Sequence, residues 1–306
     1  MTTELNHAIS FNSRLPGPRL IVLGAVHGNE TCGTDAIRQI IAGFETGTLS
    51  LTAGTVTFVP VTNPMAYQKK ERCGERNLNR MLMPYATPTV FEDHLANWLC
   101  PLLADHDVLL DLHSFQGQGR AFVMVGPENN DGAIEPFRFA REELALAKIL
   151  GVGRAVHGWL NTYHHGILRR QTAGTGASAS AQDIRFGIGT TEYMRSQGGY
   201  GVTLECGNHL DPKAPLVARQ AILNTLQHLG MIASTRALDA HSMESLYLYE
   251  VVDKQHDDDA FTQAWASFDR LRINHIIGFR HEGDAVVVPE QGYIVFPDTK
   301  SCAGEE

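Results

Sequence analysis

Apolar residues along this chain fall into short unbroken runs, separated by longer stretches in which they recur every three or four positions. Arg19 to Ala25 (Arg-Leu-Ile-Val-Leu-Gly-Ala) reads as a strand covered on both faces, because a strand with one wet face would alternate. Thr55 to Val61, Asp107 to Leu112, Ala121 to Val125 and Gly201 to Glu205 read in the same way. Between these runs, Thr31 to about Phe44 sets Ala36, Ile37, Ile40 and Ile41 at helical spacing. Thr89 to Leu103 gathers Phe91, Leu95, Trp98, Leu99 and Leu102 on one side, and Pro136 to Ile149 and Pro212 to Leu229 give two further helices. Asn63-Pro64 breaks the second strand. Strands that alternate with helices predict an α/β fold with a largely parallel sheet.

Two regions depart from this rhythm. From Asn161 to Tyr200 the chain is rich in Gly, Ser, Thr and Ala, including Thr172-Ala173-Gly174-Thr175-Gly176-Ala177-Ser178, and a long functional or mobile loop is expected there. After about Thr235, Ser245 to Val252 and Ala285 to Val288 read as strands, with turns at Gly283-Asp284 and Gln291-Gly292. The pattern divides the chain into residues 1–235 and a small β-rich C-terminal domain, 236–306, a division that a length of 306 residues accommodates.

Composition narrows the class. Hydrophobic residues at 43% and charged residues at 19% describe a globular protein. No apolar stretch approaches the roughly 20 residues of a spanning helix, so no membrane is expected. Met1 to Pro18 lacks a basic start followed by an apolar segment, which makes the cytoplasm the expected compartment. Cys32, Cys73, Cys100, Cys206 and Cys302 are scattered without a Cys-x-x-Cys spacing, so reduced thiols are expected. A net charge of -9 leaves no global positive field for nucleic acid.

The chemistry collects where strands end. His27 and Glu30 follow the first buried run, His113 follows the third, and Glu205 ends the last. Ligands in open α/β sheets gather outside the carboxyl ends of strands, the place where these residues fall. Two histidines and a carboxylate form the ligand set of a hydrolytic zinc site, with a fourth position for water, and Glu205 is a candidate general base. Asp111, two residues before His113, shares its face of the strand and is a candidate partner for the free imidazole N–H. Lys69 to Arg80 holds three arginines, two lysines and two glutamates. It reads either as a self-neutralising surface loop or as guanidinium groups for carboxylates and an oxyanion. His157, His164, His165, His209 and His281 are read as surface or core histidines.

His27-x-x-Glu30, Asn79-Arg80, His113 and Glu205 resemble, in order and spacing, the zinc carboxypeptidase superfamily. The segments 24–30, 77–80 and 204–207 look most like its succinylglutamate desuccinylase and aspartoacylase branch. The resemblance covers roughly the first 210 residues and implies a three-layer α/β/α domain that hydrolyses N-acyl amino acids. It implies one zinc ion per chain on His27, Glu30 and His113, with Glu205 as base and proton shuttle. It further implies that Arg72 polarises the scissile carbonyl, that Asn79 and Arg80 hold the substrate α-carboxylate, and that Arg195 engages a substrate carboxylate. Tyr293 matches a tyrosine contributed by the C-terminal domain. The family motif commonly reads Asp-x-Asn-Arg. Asn77 stands at its first position, a departure expected to affect the Arg80 segment and not the zinc ligands.

The expected activity is removal of an acetyl- or succinyl-type acyl group from a small N-acyl amino acid by activated water. Two other readings use the same residues: a metallocarboxypeptidase acting on short peptides, and a zinc-holding binding protein without turnover. The sequence leaves a homo-oligomeric state open.

Overall fold

The computed structural model describes residues 7–173, 183–233, 237–238 and 242–299. Residues 174–178 of the Gly- and Ser-rich stretch, Cys302, and the 235/236 division lie outside them.

Eight strands form the main sheet: β1 (Ile9–Asn12), β2 (Arg19–Leu23), β3 (Thr55–Val59), β4 (Val108–Phe115), β5 (Phe122–Met124), β6 (Arg154–His157), β7 (Tyr200–Asn208) and β8 (Glu244–Tyr247). Their order is β1-β3-β2-β4-β7-β5-β6-β8. The central block β3-β2-β4-β7 is parallel, and so is the lateral block β5-β6-β8. The two blocks run in opposite directions across the β5/β7 pair, and β1 runs antiparallel to β3. Largely parallel sheets need cover on both faces. That cover comes from α1 (Cys32–Glu45), α2 (Pro64–Lys69), α3 (Phe91–Ala104), α4 (Ala140–Ile149), α5 (Trp159–Ala173), α6 (Thr190–Ser196) and α7 (Ala214–His228).

Alternation along the strands sorts side chains between the two layers. Leu20, Val22, Leu110 and Leu112 pack with Ala36, Ile37 and Ile40 of α1 and Ala218, Ala221 and Ile222 of α7. Ile21, Leu23 and Leu109 point the other way, against Leu95, Leu99 and Leu103 of α3 and Met194 of α6. Both faces are therefore dry, which is why these strands read as continuous apolar runs. Helix boundaries follow local chemistry. Asn63 accepts the Ala66 N–H at 3.1 Å and Pro64 sits at the first turn, so the Asn63-Pro64 break in the strand also starts α2.

The expectation of a long loop between Asn161 and Tyr200 is overturned over most of its described part. Residues 159–173 form α5, a 3-10 turn covers Ile184–Gly187, and α6 follows. Leu160, Tyr163 and Ile167 are buried at helical spacing, a signal diluted by the small residues after Thr172. Three other readings also change. α4 begins at Ala140, so Phe137 and Phe139 precede it; of the 245–252 run only Ser245 to Tyr247 is strand, as part of β8; and Gly292 pairs with Leu271 in a strand instead of forming a turn.

The tail contributes β9 (Ala260–Phe261), β10 (Arg270–Leu271), β11 (Ile276–Phe279), β12 (Ala285–Val287) and β13 (Gly292–Tyr293). These make a three-stranded sheet, β12-β11-β9, and the β10-β13 pair. Trp265, Leu271, Ile277 and Val288 form its own small core. Phe268 and Phe296 pack on Phe122 and join the tail to the large sheet. β8 lies in the tail by sequence and in the main sheet by pairing. No helix of the described residues is long and apolar enough to cross a membrane, and no disulfide joins Cys32, Cys73, Cys100 and Cys206.

Candidate active site

The parallel register sets the site. Leu23 lies beside Asp111, Asp111 beside Thr203, and His113 directly opposite Glu205. After β2 the chain turns through Ala25, whose φ is +46°, and brings His27 and Glu30 over the same strand ends. Gly28 permits this turn, because a Cβ there would lie 1.9 Å from the Ala66 carbonyl carbon at the start of α2.

His27, Glu30 and His113 are all buried, and one ligand atom from each lies within 4.8 Å of the others. The Glu30 carboxylate sits between the rings, with Oε1 2.8 Å from His27 Nδ1 and Oε2 2.9 Å from His113 Nδ1. It also accepts the Ser114 N–H at 3.1 Å and an Arg72 N–H at 3.1 Å. Each imidazole is held on its far side. His27 Nε2 meets Asn77 Oδ1 at 3.1 Å, and His113 Nε2 lies 2.9 Å from Asp111 Oδ2, which also accepts the Thr190 hydroxyl. The donors fit a divalent cation: two nitrogens and a carboxylate, buried, with their outer atoms already oriented.

Electrostatics agree with that use. Burial, aided by Arg72, pushes His27 down to about 4, so it is a neutral imidazole at neutral pH. Burial works against charge on His113 and Glu30 as well. For His113 it is outweighed by Asp111 and Glu30, which hold the ring protonated well above its usual range. For Glu30 it is outweighed by the two histidines, which keep the carboxylate well below its usual range. A cation would take the place of the His113 proton. Burial pushes Glu205 up to about 8, with the Glu30 charge adding to the shift while His113 and Arg72 oppose it. Its Oε2 is buried without a hydrogen-bond partner among the described residues, an orphaned acceptor of the kind that structural carboxylates rarely leave.

Around this group lies a cleft of about 2250 Å³ lined by His27, Arg72, Arg80, Glu205, His209 and Tyr293, among others. Arg72 is half exposed at its edge. Arg80 lies 4.9 Å over the Trp159 ring and 5.8 Å from the Tyr163 ring, both supplied by α5. Asn79 Oδ1 accepts the Thr190 N–H at 2.9 Å and caps α6.

These contacts bear on four expectations. Arg195 is buried and all five of its donors are taken. Nε and Nη2 go to Glu143 at 2.8 and 3.2 Å, Nη1 goes to Glu135 at 2.7 Å and Glu192 at 3.3 Å, and Nη2 also donates to the Gly201 carbonyl at 2.9 Å. All of these N–H groups are engaged by the protein itself, which weighs against the expected contact with a substrate carboxylate, although Arg195 lines the cleft. Tyr293 lines the cleft and donates its hydroxyl to Glu244 at 3.2 Å, on the strand next to β6. Asn77 touches His27, so the departure from the family motif bears on the metal group and not only on Arg80. His209, read as an ordinary histidine, has its Nδ1 2.8 Å from Ser114 Oγ, beside the Glu30 carboxylate. His209 and Asn77 stand far from His27 and Glu30 in sequence, and only the fold brings them together. Trp159 and Tyr163 carried a helical signal that could have been read.

The catalytic-domain model of the succinylglutamate desuccinylase/aspartoacylase family matches residues 16–229. The chain belongs to that family. Members of the succinylglutamate desuccinylase/aspartoacylase family are hydrolases that deacylate N-acyl amino acids. No curated protein sequence matches the chain. Among solved structures, a succinylglutamate desuccinylase/aspartoacylase from Rhodobacter sphaeroides is similar at 18% identity and a TM-score of 0.71, over 97% of this chain and 86% of that one. A succinylglutamate desuccinylase from Vibrio parahaemolyticus is similar at 15% identity and a TM-score of 0.67, over 97% and 83%. The product-bound ectoine utilization protein EutE (DoeB) from Ruegeria pomeroyi is similar at 19% identity and a TM-score of 0.64, over 94% and 82%. At these identities the likeness establishes the shared fold, including the β-rich tail.

Proposed function

We propose that the chain is a zinc-dependent amidohydrolase that removes an acetyl- or succinyl-type acyl group from a small N-acyl amino acid. One zinc ion on His27, Glu30 and His113 would supply a Lewis acid and lower the pKa of water. The observation that carries the reading is Glu205: a buried carboxylate opposite His113, with one oxygen unpartnered and a proton affinity raised by burial. Glu205 takes the proton of the attacking water and returns it to the amine nitrogen as the C–N bond breaks, leaving a carboxylate and a free amino acid. Arg72, half exposed beside Glu30, meets the carbonyl oxygen as negative charge develops there, a contribution of about 3 kcal/mol for a well-placed donor. Arg80, lying over the Trp159 and Tyr163 rings, receives the substrate α-carboxylate. Because Arg195 is saturated by glutamates, a second carboxylate on the substrate is not read at that position.

In domain terms, this reading assigns the chemistry to the first domain, and described residues between Leu246 and Thr299 of the tail line the cleft. The size of the cleft favours one second reading, a carboxypeptidase acting on short peptides, since about 300–1,000 Å³ suffices for a small ligand. Amine release from a panel of N-acetyl amino acids, N-succinyl amino acids and dipeptides, with and without chelator, tests both. Chelator-sensitive release from an N-acyl amino acid supports the deacylase. Turnover of dipeptides alone replaces it with the peptidase, and turnover that survives complete metal removal contradicts both.

A further inference from the structure

A second group of two histidines and a carboxylate lies in the tail, apart from the site above. β11 pairs with β9, placing Phe279 beside Ala260. This sets the segment before β9, with His256 and Asp258, against the turn after β11, with His281. Asp259 fastens the two together. Its Oδ2 accepts the Gln255 N–H at 2.8 Å and Arg280 Nη1 at 2.8 Å, and its Oδ1 accepts the His281 N–H at 2.9 Å. Arg280 Nη1 also donates to the Asp253 carbonyl at 2.7 Å. The frame is thus made by residues other than the three it juxtaposes.

Within that frame, Asp258 Oδ2 lies 3.1 Å from His281 Nδ1 and 3.5 Å from His256 Nδ1. The two rings are stacked at 3.9 Å with 22° between their planes. One ligand atom from each of the three residues lies within 4.8 Å of the others. Donors of a tetrahedral ion with bonds of 2.0–2.1 Å lie about 3.3 Å apart, close to the two Asp258 contacts, and the stacked rings would have to swing apart for both to reach one ion. His256 Nδ1 accepts the Asp258 N–H at 3.1 Å, a bond that an ion on this nitrogen would have to displace. Both rings are about half exposed, and Asp258 more so, which leaves the remaining positions to water.

We propose that His256, Asp258 and His281 form a second divalent-metal site, exchangeable with solvent, that ties the 253–259 segment to the turn after β11. Two imidazole nitrogens select a borderline ion such as zinc over magnesium or calcium, which prefer all-oxygen ligands. Lys254, Gln255, Asp257 and Asp259 line the cleft, so an ion here braces one of its walls from behind. Residues with donors this close and a separate supporting network differ from a chance meeting of exposed side chains, which nothing would hold in register.

Full-length protein stripped by chelator and dialysed against zinc is expected to bind two equivalents. His281→Ala, His256→Ala and Asp258→Asn each remove one, His113→Ala removes the other, and His164→Ala on α5 removes neither. Zinc at ten times the dissociation constant of this site slows hydrogen exchange in 253–261 and 276–287 about tenfold in the wild type, and not in His281→Ala. A single equivalent in the wild type that is lost in His113→Ala overturns the proposal. So does a second equivalent that survives His281→Ala. Loss of zinc in His113→Ala reports on the catalytic group alone, so the two sites fail separately.

Discussion

Two buried clusters of charge lie in the same α/β domain, and they are finished differently. Around Arg195, every guanidinium donor has an acceptor, and Glu143 returns the favour by accepting the Gly126 and Gly201 N–H groups at 2.6 and 3.1 Å. Gly126 has no room for a side chain, since a Cβ would lie 2.4 Å from Arg195 Nε. Around His27, Glu30 and His113, by contrast, Glu205 Oε2, Asp111 Oδ1 and His113 Nε2 are left without hydrogen-bond partners among the described residues, although His113 Nε2 lies 2.9 Å from Asp111 Oδ2. Burial of polar groups is tolerated when they are satisfied, so the first cluster is complete as a piece of architecture. The second is complete only with something added. Charge and burial alone would have ranked the two alike; satisfaction separates them.

The largest expected effect comes from removing a member of the unsatisfied group. His113→Ala should lose its zinc and with it all turnover, as read by elemental analysis and amine release, while the fold measured by circular dichroism persists. The converse holds at the other cluster. Arg195→Met leaves three buried carboxylates without their cation and should lower unfolding free energy by about 3–5 kcal/mol in urea titrations. A stable Arg195→Met variant that has lost only diacidic substrates would restore Arg195 to substrate binding and undo the contrast.

An intermediate effect is expected where the metal group meets its support. Asn77→Leu removes the acceptor for His27 Nε2 and should weaken zinc affinity by about tenfold to a hundredfold in chelator competition. Asn77→Asp should hold zinc at least as well as the wild type. Unchanged affinity in Asn77→Leu would mean that the 3.1 Å contact does not orient the ring.

The smallest effect is one of pH. Burial beside Glu192 and Glu143 pushes Glu135 up to about 7, with Arg195 opposing. The folded state therefore holds a proton that the unfolded chain, with a glutamate near 4.5, has released. Stability from this group is present below the unfolded value and falls as pH rises toward 7. Glu135→Gln removes that dependence, so its melting temperature relative to the wild type should rise between pH 5 and 8. A difference that stays flat would show that Glu135 is not protonated in the folded protein.

Much of this was legible in the chain, for identifiable reasons. β2, β4 and β7 are dry on both faces and read as unbroken apolar runs, and the residues that follow or end them are polar where a core would not permit it. His27, Glu30, His113 and Glu205 stood out on that ground. β1 alternates at an edge and β6 is four residues long, so neither rises above background. β9, β10 and β13 are two-residue pairings that no periodicity announces. The saturation of Arg195 depends on Glu135 and Glu143, more than fifty residues upstream, and the pairing of His27 with Asn77 on a separation of fifty. Motif spacing suggested a substrate contact at Arg195 because it records position along the chain. Hydrogen-bond partners across the fold decide what that position does.

The most direct measurement is made on Glu205→Gln, which keeps the volume of the side chain and removes its ability to take a proton. Zinc content should match the wild type while the rate of amine release from an N-acyl amino acid falls by roughly 10²–10⁴. A variant that carries its full complement of metal and turns over within about tenfold of the wild type would contradict the assignment of the proton transfer to Glu205.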